Sequence, residues 1–210
     1  SMLIAAPIGA AASQVGTLIM WATEQAPFLM GILVSVIVGV ALTLPISSAA
    51  ICAALGLTGL AGGAAVAGCC AQMIGFAVMS YKENGVGGLI SQGLGTSMLQ
   101  MGNIVKNPRI WIAPTLASAI TGPLATCVFR MEMNGAAVSS GMGTCGLVGQ
   151  IGVYTGWVSD IAAGVKTAIT PMDWAAMVLL CFVLPAVLSV IFCEIERKMG
   201  GIKEGEWKLN

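Results

Sequence analysis

At 210 residues, with 57% hydrophobic and only 9% charged side chains, the chain has too few charges to cover a water-facing surface; soluble domains carry about 25%. Its mean hydropathy of +0.93 points to lipid as the main solvent, so the useful unit of length is the roughly 20 apolar residues of a spanning helix. Zero net charge with no basic patch argues against nucleic acid, and the absence of histidine removes the commonest metal ligand and general base, so no catalytic, metal or cofactor site is expected.

Leu3 to Trp21 is long enough to span and lacks the basic start of a cleavable leader. Glu24 follows in a short polar break, and Pro27 suits the first turn of the next helix. Phe28 to Leu44 is a second span, interrupted at Pro45. Ser47 to Leu60 is rich in small residues and reads as a short or broken helix. Ala61 to Tyr81 is a third span, whose opening A-G-G-A-A-V-A-G-C-C-A lets helices approach closely.

Lys82 to Asn107 differs from what precedes it. Gly85, Gly87, Gly88, Gly93, Gly95 and Gly102 alternate with Ser91, Gln92, Thr96, Gln100 and Asn103. The stretch is too interrupted for a span and too apolar for a solvated loop. A re-entrant hairpin fits, because irregular backbone is tolerated at membrane depth only inside protein or along a watery cavity. Ile110 to Phe129 is the next span, with Pro114 and Pro123 inside it. Gly141 to Trp157 repeats the glycine-rich theme with Thr144, Gln150 and Tyr154. Asp160 to Asp173 is polar, and Trp174 to Phe192 is the cleanest span, with Trp174 as an interface anchor. The tail carries Arg197, Lys198, Lys203 and Lys208, which places it in the cytoplasm by the positive-inside rule.

The expected architecture is therefore an all-α integral membrane domain over residues 1–196. It has about five transmembrane helices and two re-entrant glycine-rich elements near 82–107 and 136–158. A short cytoplasmic tail, 197–210, follows. Two short interrupted apolar segments point to the binding site of a transporter.

Individual residues carry two readings each. Lys82-Glu83-Asn84 is either a loop at the membrane edge with a snorkelling lysine, or the mouth of a binding element. In the second case Glu83 accepts strong charge-assisted hydrogen bonds. Gln72, inside a span, either bonds across helices or meets a solute. Asn107 reads as an N-cap and Pro108 as the first residue of the helix it opens. Cys52, Cys69, Cys70, Cys127, Cys145, Cys181 and Cys193 form no C-x-x-C pair and read as small buried hydrophobes.

The stretch K-E-N-G-V-G-G-L-I-S-Q-G-L-G-T-S-M-L-Q-M-G-N-I-V-K-N-P-R-I-W-I-A-P-T-L resembles the enzyme IIC membrane components of the bacterial sugar phosphotransferase system. There an acid-containing motif opens a glycine-rich stretch that ends in N-P-x-x-x-I-P. Glu83 matches the acid; Asn107, Pro108 and Pro114 match the second pattern. I-M-W-A-T-E-Q-A-P-F-L-M-G, L-T-L-P-I-S-S-A-A-I (holding Pro45), C-C-A-Q-M-I-G-F-A-V-M-S and G-P-L-A-T are similar to a IIC-like subfamily described as toxin regulators, in its C-terminal part. The family pattern is not complete here: no histidine faces the acid, and Asn84-Gly85 stands where the family has Glu-Pro.

The resemblance implies a multi-pass protein of the bacterial inner membrane that binds and translocates a small hydroxylated solute, a sugar. Phosphoryl transfer would fall to IIB and IIA proteins acting in trans, and a homodimer is expected if N-terminal segments exist. Glu83 inherits the sugar-binding role. Asn84, Gln72, Ser91, Gln92, Thr96, Thr144 and Gln150 are its expected hydrogen-bonding neighbours. The alternatives are a ligand-sensing regulator of the same fold without transport, and a channel or scaffold with a pore along Thr96, Ser97 and Thr144.

Overall fold

The apolar runs become helices that pack around one central member. A computed structural model describes residues 2–203 and 205–209. In chain order the α-helices are α1 (Met2–Gln25), α2 (Pro27–Thr43), α3 (Ser48–Leu55), α4 (Gly59–Met79), α5 (Tyr81–Ile90), α6 (Met101–Lys106), α7 (Ile112–Pro123), α8 (Val148–Ala162), α9 (Pro171–Val178) and α10 (Leu184–Lys198). Short π and 3-10 turns link several of them, and no strand occurs among the described residues.

Three continuous helices are long and apolar enough to cross a membrane: Gly59–Met79, Pro108–Val128 and Pro171–Lys198, while Pro27–Thr43 is a shorter apolar helix. Burial ranks them. In α4, 89% of the apolar window lies inside the protein, against 39% for Pro171–Lys198, so α4 is the axis and the last helix lies at the periphery. Leu33, Ile37, Leu116, Ile120, Val187 and Ile191 stay exposed on the outside. That is the lipid-facing ring expected of a membrane bundle, because lipid tails give no reason to bury them.

Small residues set the closeness of the centre. α2, α4 and α7 pack mutually, and α10 lies against α4 and α7. A Cβ at Gly68 of α4 would fall 2.0 Å from the Ser35 carbonyl oxygen of α2, so the two backbones touch where any side chain would hold them apart. Ser35 Oγ closes the triangle by donating to the Ser118 carbonyl of α7 at 2.8 Å.

The punctuation follows the prolines and caps. α2 ends at Thr43, before Pro45, since the residue preceding proline avoids helical backbone. Asn107 accepts from the Arg109 amide through its side chain, with Pro108 in the first turn. The polar stretch 160–173 is shorter than its composition suggests. α8 runs on to Ala162, and α9 starts at Pro171 behind a capping box in which Thr170 and Asp173 satisfy each other's amides.

This directionality gives the bundle two ends. α4 runs from Gly59, which bonds the Asn134 side chain, to Ser80, which bonds Gln92. Asn134 and Asp160 therefore share one end, and Ser80, Glu83 and the tail share the other.

Candidate functional site

The two glycine-rich elements enter from opposite ends of the bundle, the first from the tail end and the second from the Asn134 end, and each turns back near the middle. The first enters as α5, with Glu83 in its first turn, where a carboxylate is favoured by the helix dipole. Gly85 breaks the helix at φ 60°, ψ −155°. The chain then makes a π turn over Ser91–Gly95 and a 3-10 turn over Ser97–Gln100, and comes back through α6. The second descends through a 3-10 turn at Ala137–Gly141 and returns as α8. Their tips meet beside the middle of α4: Thr144 Oγ1 donates to the Gly93 carbonyl and lies 3.6 Å from Met73 Sδ.

Next to this junction sits a buried polar network. Gln72 Oε1 accepts from Trp111 Nε1 at 2.9 Å and from Thr43 Oγ1 at 3.2 Å. Its Nε2 donates to Thr115 and Ser118 hydroxyls at 3.3 and 3.4 Å. Thr43 in turn shares a 2.9 Å bond with Ser97. Gln72 is thus fully satisfied by protein, as a polar side chain joining helices should be, and its neighbours are hydroxyl residues that look unremarkable in apolar sequence.

The second cluster lies at the tail end. Gln92 Nε2 donates to Ser80 Oγ at 2.7 Å, and its Oε1 accepts from Gln100 at 2.9 Å. Gln100 Oε1 accepts from Asn103 at 2.8 Å. The tail folds back over these groups. Glu83 Oε1 accepts from the Gly205 amide at 2.9 Å. Asn84 donates to the Trp207 carbonyl at 2.7 Å and accepts from the Leu209 amide at 2.8 Å. Gln100 also reaches the Trp207 carbonyl, and Asn103 that of Lys208. Asn107 holds the Gly201 carbonyl and the Glu206 carboxylate, the latter at 2.7 Å. Trp207 is wholly buried, its ring 5.9 Å from that of Phe76.

Several buried polar atoms lack a partner, both Glu196 carboxylate oxygens and the Trp207 indole nitrogen among them. Glu83 Oε2 is buried and has no hydrogen-bond partner, and Glu83 forms no ion pair with Lys82 or any other cation among the described residues. Glu83 itself is half-buried, and an oxygen enclosed without a donor costs free energy.

The expected site residues therefore divide. Glu83, Asn84 and Gln92 come together at the tail end, while Gln72 and Thr144 sit at the middle. Ser91 and Thr96 serve the local backbone, Ser91 donating to the Gly88 carbonyl and Thr96 capping the Met98 amide. Gln150 bonds Cys70 at 3.2 Å and leaves its Oε1 unpaired. Pro45 and Pro114 are structural, Pro114 being buried in α7. Sequence reasoning did not single out Trp207, Gln100 or Asn103. A lone tryptophan in a charged tail was the available signal.

No curated protein and no solved structure matches the chain. Residues 1–209 do match a family described as "Phosphotransferase system, EIIC". With the helical bundle, its long apolar helices and the acid-led glycine-rich element in view, the chain belongs to the enzyme IIC family of the phosphotransferase system, the membrane carriers of that system.

Proposed function

We propose that this chain binds a small hydroxylated solute, a sugar, along the path its two glycine-rich elements line, with Glu83 as the principal acceptor at the tail end of that path. The carrying observation is the meeting of the two elements from opposite ends of the bundle, tip to tip at Thr144 and Gly93. Paired discontinuous segments at mid-depth are the arrangement that serves alternating access, and each element would be re-entrant in the bilayer. Glu83 has one oxygen without a protein partner, and an ionised carboxylate takes sugar hydroxyls as strong donors.

In this reading the tail is a lid. The Gly205 amide and the Trp207 carbonyl occupy Glu83 and Asn84, so a solute reaching them from that end displaces the tail. The chain binds and orients. Phosphoryl transfer to a solute hydroxyl belongs to IIB and IIA partners in trans, which places the tail end in the cytoplasm of a bacterial inner-membrane protein. A homodimer is the expected assembly if N-terminal segments are present.

The test is uptake of labelled hexoses into proteoliposomes by wild type and Glu83→Gln. Loss of one charge-assisted bond lowers affinity by roughly tenfold or more. Unchanged uptake by a monodisperse Glu83→Gln protein would remove Glu83 from the site. The docked tail also favours a second reading, a ligand-sensing regulator of the toxin-regulator type, in which tail release is the output. Solute binding and tail release without flux would select it.

A further inference from the structure

Between Arg109 and Glu194 the chain carries five charged residues: Arg130, Glu132, Asp160, Lys166 and Asp173. All five, drawn from three separate segments, line one cavity of about 260 Å³ at the end of the bundle opposite the tail. A single water needs only about 15 Å³, so the cavity admits a small solute. In a chain this poor in charge, such convergence asks for a ligand.

The groups in it are not all spent on each other. Lys166 and Asp173 form a closed pair at 2.7 Å, with the ammonium 5.4 Å from the Trp157 ring centre. Glu132 and Asp160 have no cation within ion-pair distance among the described residues. Instead both accept from a single nitrogen, Asn134 Nδ2, at 3.1 and 2.8 Å. Both carboxylates line the same cavity. Arg130, exposed and with a left-handed φ of 45°, adds a guanidinium that pairs with no carboxylate among the described residues.

The frame that holds these groups is rigid. Gly59 N donates to Asn134 Oδ1, and Gly59 and Met133 exchange backbone hydrogen bonds. A Cβ at Gly156 of α8 would lie 2.7 Å from the Asn134 amide nitrogen, so the loop is seated directly on the helix backbone. The Asn134 amide has both N–H bonds and its oxygen committed, which fixes the two carboxylates in place rather than leaving them to solvent.

Resting on the carrier reading, we infer that this cavity is a second solute site, an entry port on the face opposite Glu83, selective for a neutral polyhydroxylated molecule. Carboxylate oxygens with free lone pairs accept hydroxyls, and the guanidinium donates to hydroxyl oxygens. Such a ligand uses both signs without needing a net charge of its own.

The test is titration of the purified full chain with D-glucose, N-acetyl-D-glucosamine and D-mannitol, read by tryptophan fluorescence because Trp157 borders the cavity. It is done in the Glu83→Gln background, so that the tail-end site does not contribute. A probe that binds there should weaken by roughly tenfold in Asp160→Asn and in Glu132→Gln, the loss of one charge-assisted hydrogen bond. Arg130→Gln should also weaken it. Arg130 is exposed, so that variant folds even if a carboxylate variant does not. Equal affinity in folded cavity variants overturns the inference, as does silence to all three probes. A response to Ca²⁺, Na⁺ or ethanolamine in place of the sugars overturns it in favour of a cation site. No hexose uptake by the folded wild-type chain would sink the carrier reading itself, a different result from any of these.

Discussion

The two glycine-rich elements solve the same problem in opposite ways. The first, 82–107, carries Lys82, Glu83 and Lys106 besides its amides, and the protein's own tail meets the amides: Asn84, Gln100, Asn103 and Asn107 each bond a tail backbone group. Around the second, 136–158, the flanking segments bring five charged residues to one cavity, where Glu132 and Asp160 have only one amide between them. An amide cluster can be sealed by backbone, whose carbonyls and N–H groups complement it without net charge. A mixed-charge cluster cannot, and stays open to whatever enters. On the proposed reading the tail end is the regulated one and the charged cavity the open one.

The largest test of this contrast removes the tail's anchor. Trp207 has no exposed surface, and deleting a buried aromatic of this size costs about 3–5 kcal/mol. Trp207→Ala should undock the tail and leave the α4-centred bundle folded. Hydrogen exchange at the Gly205 and Leu209 amides, which donate to Glu83 and Asn84, should lose its protection. Retained protection at both amides would show that polar contacts alone hold the tail.

How much of this was visible in the chain itself depends on range. The long apolar runs announced α4, Pro108–Val128 and Pro171–Lys198, because a span is a local property of some twenty residues. Pro45, Asn107 and Pro108 marked boundaries for the same reason, since their effects act on adjacent backbone. The partners of Gln72 were not legible. Thr43, Trp111 and Ser118 come from other helices, and a hydroxyl in an apolar helix gives no hint of which neighbour it meets. Nor was the convergence of Arg130 with Asp160 and Lys166, which lie well downstream of it and are brought to it by the folding back of α8 onto the 131–136 loop. The tail read as a solvated cytoplasmic end because charge dominates its composition. Its docking is carried by one tryptophan and by backbone groups that have no sequence signature.

The middle of the molecule, where the two elements touch, should respond to intermediate changes. Gln72→Leu leaves the Trp111 indole N–H without its acceptor and should cost about 1–3 kcal/mol, seen as a lower thermal midpoint with the tail still docked. Thr144→Val keeps the shape but leaves the Gly93 carbonyl unpaired, at about 1–2 kcal/mol. Its sharper signature is spatial: exchange should rise in both 91–97 and 143–148, because the bond joins the two tips. A rise confined to one element would mean that the tips are held by packing alone.

The smallest effect is expected where charge is most conspicuous. Lys166 and Asp173 form the best-made ion pair among the described residues, yet their side chains are 27% and 23% exposed, and a pair open to solvent is worth less than about 1 kcal/mol. Asp173 also closes the α9 cap by accepting from the Thr170 amide at 2.7 Å, a bond that the side-chain oxygen of asparagine preserves. Asp173→Asn therefore isolates the charge. Its thermal midpoint should fall slightly at low salt and converge on wild type as salt screens the pair. A loss of several kcal/mol, insensitive to salt, would mean that Lys166 is buried against Trp157 and needs its counter-ion. The cavity would then be a structural charge cluster with no free surface to offer a solute.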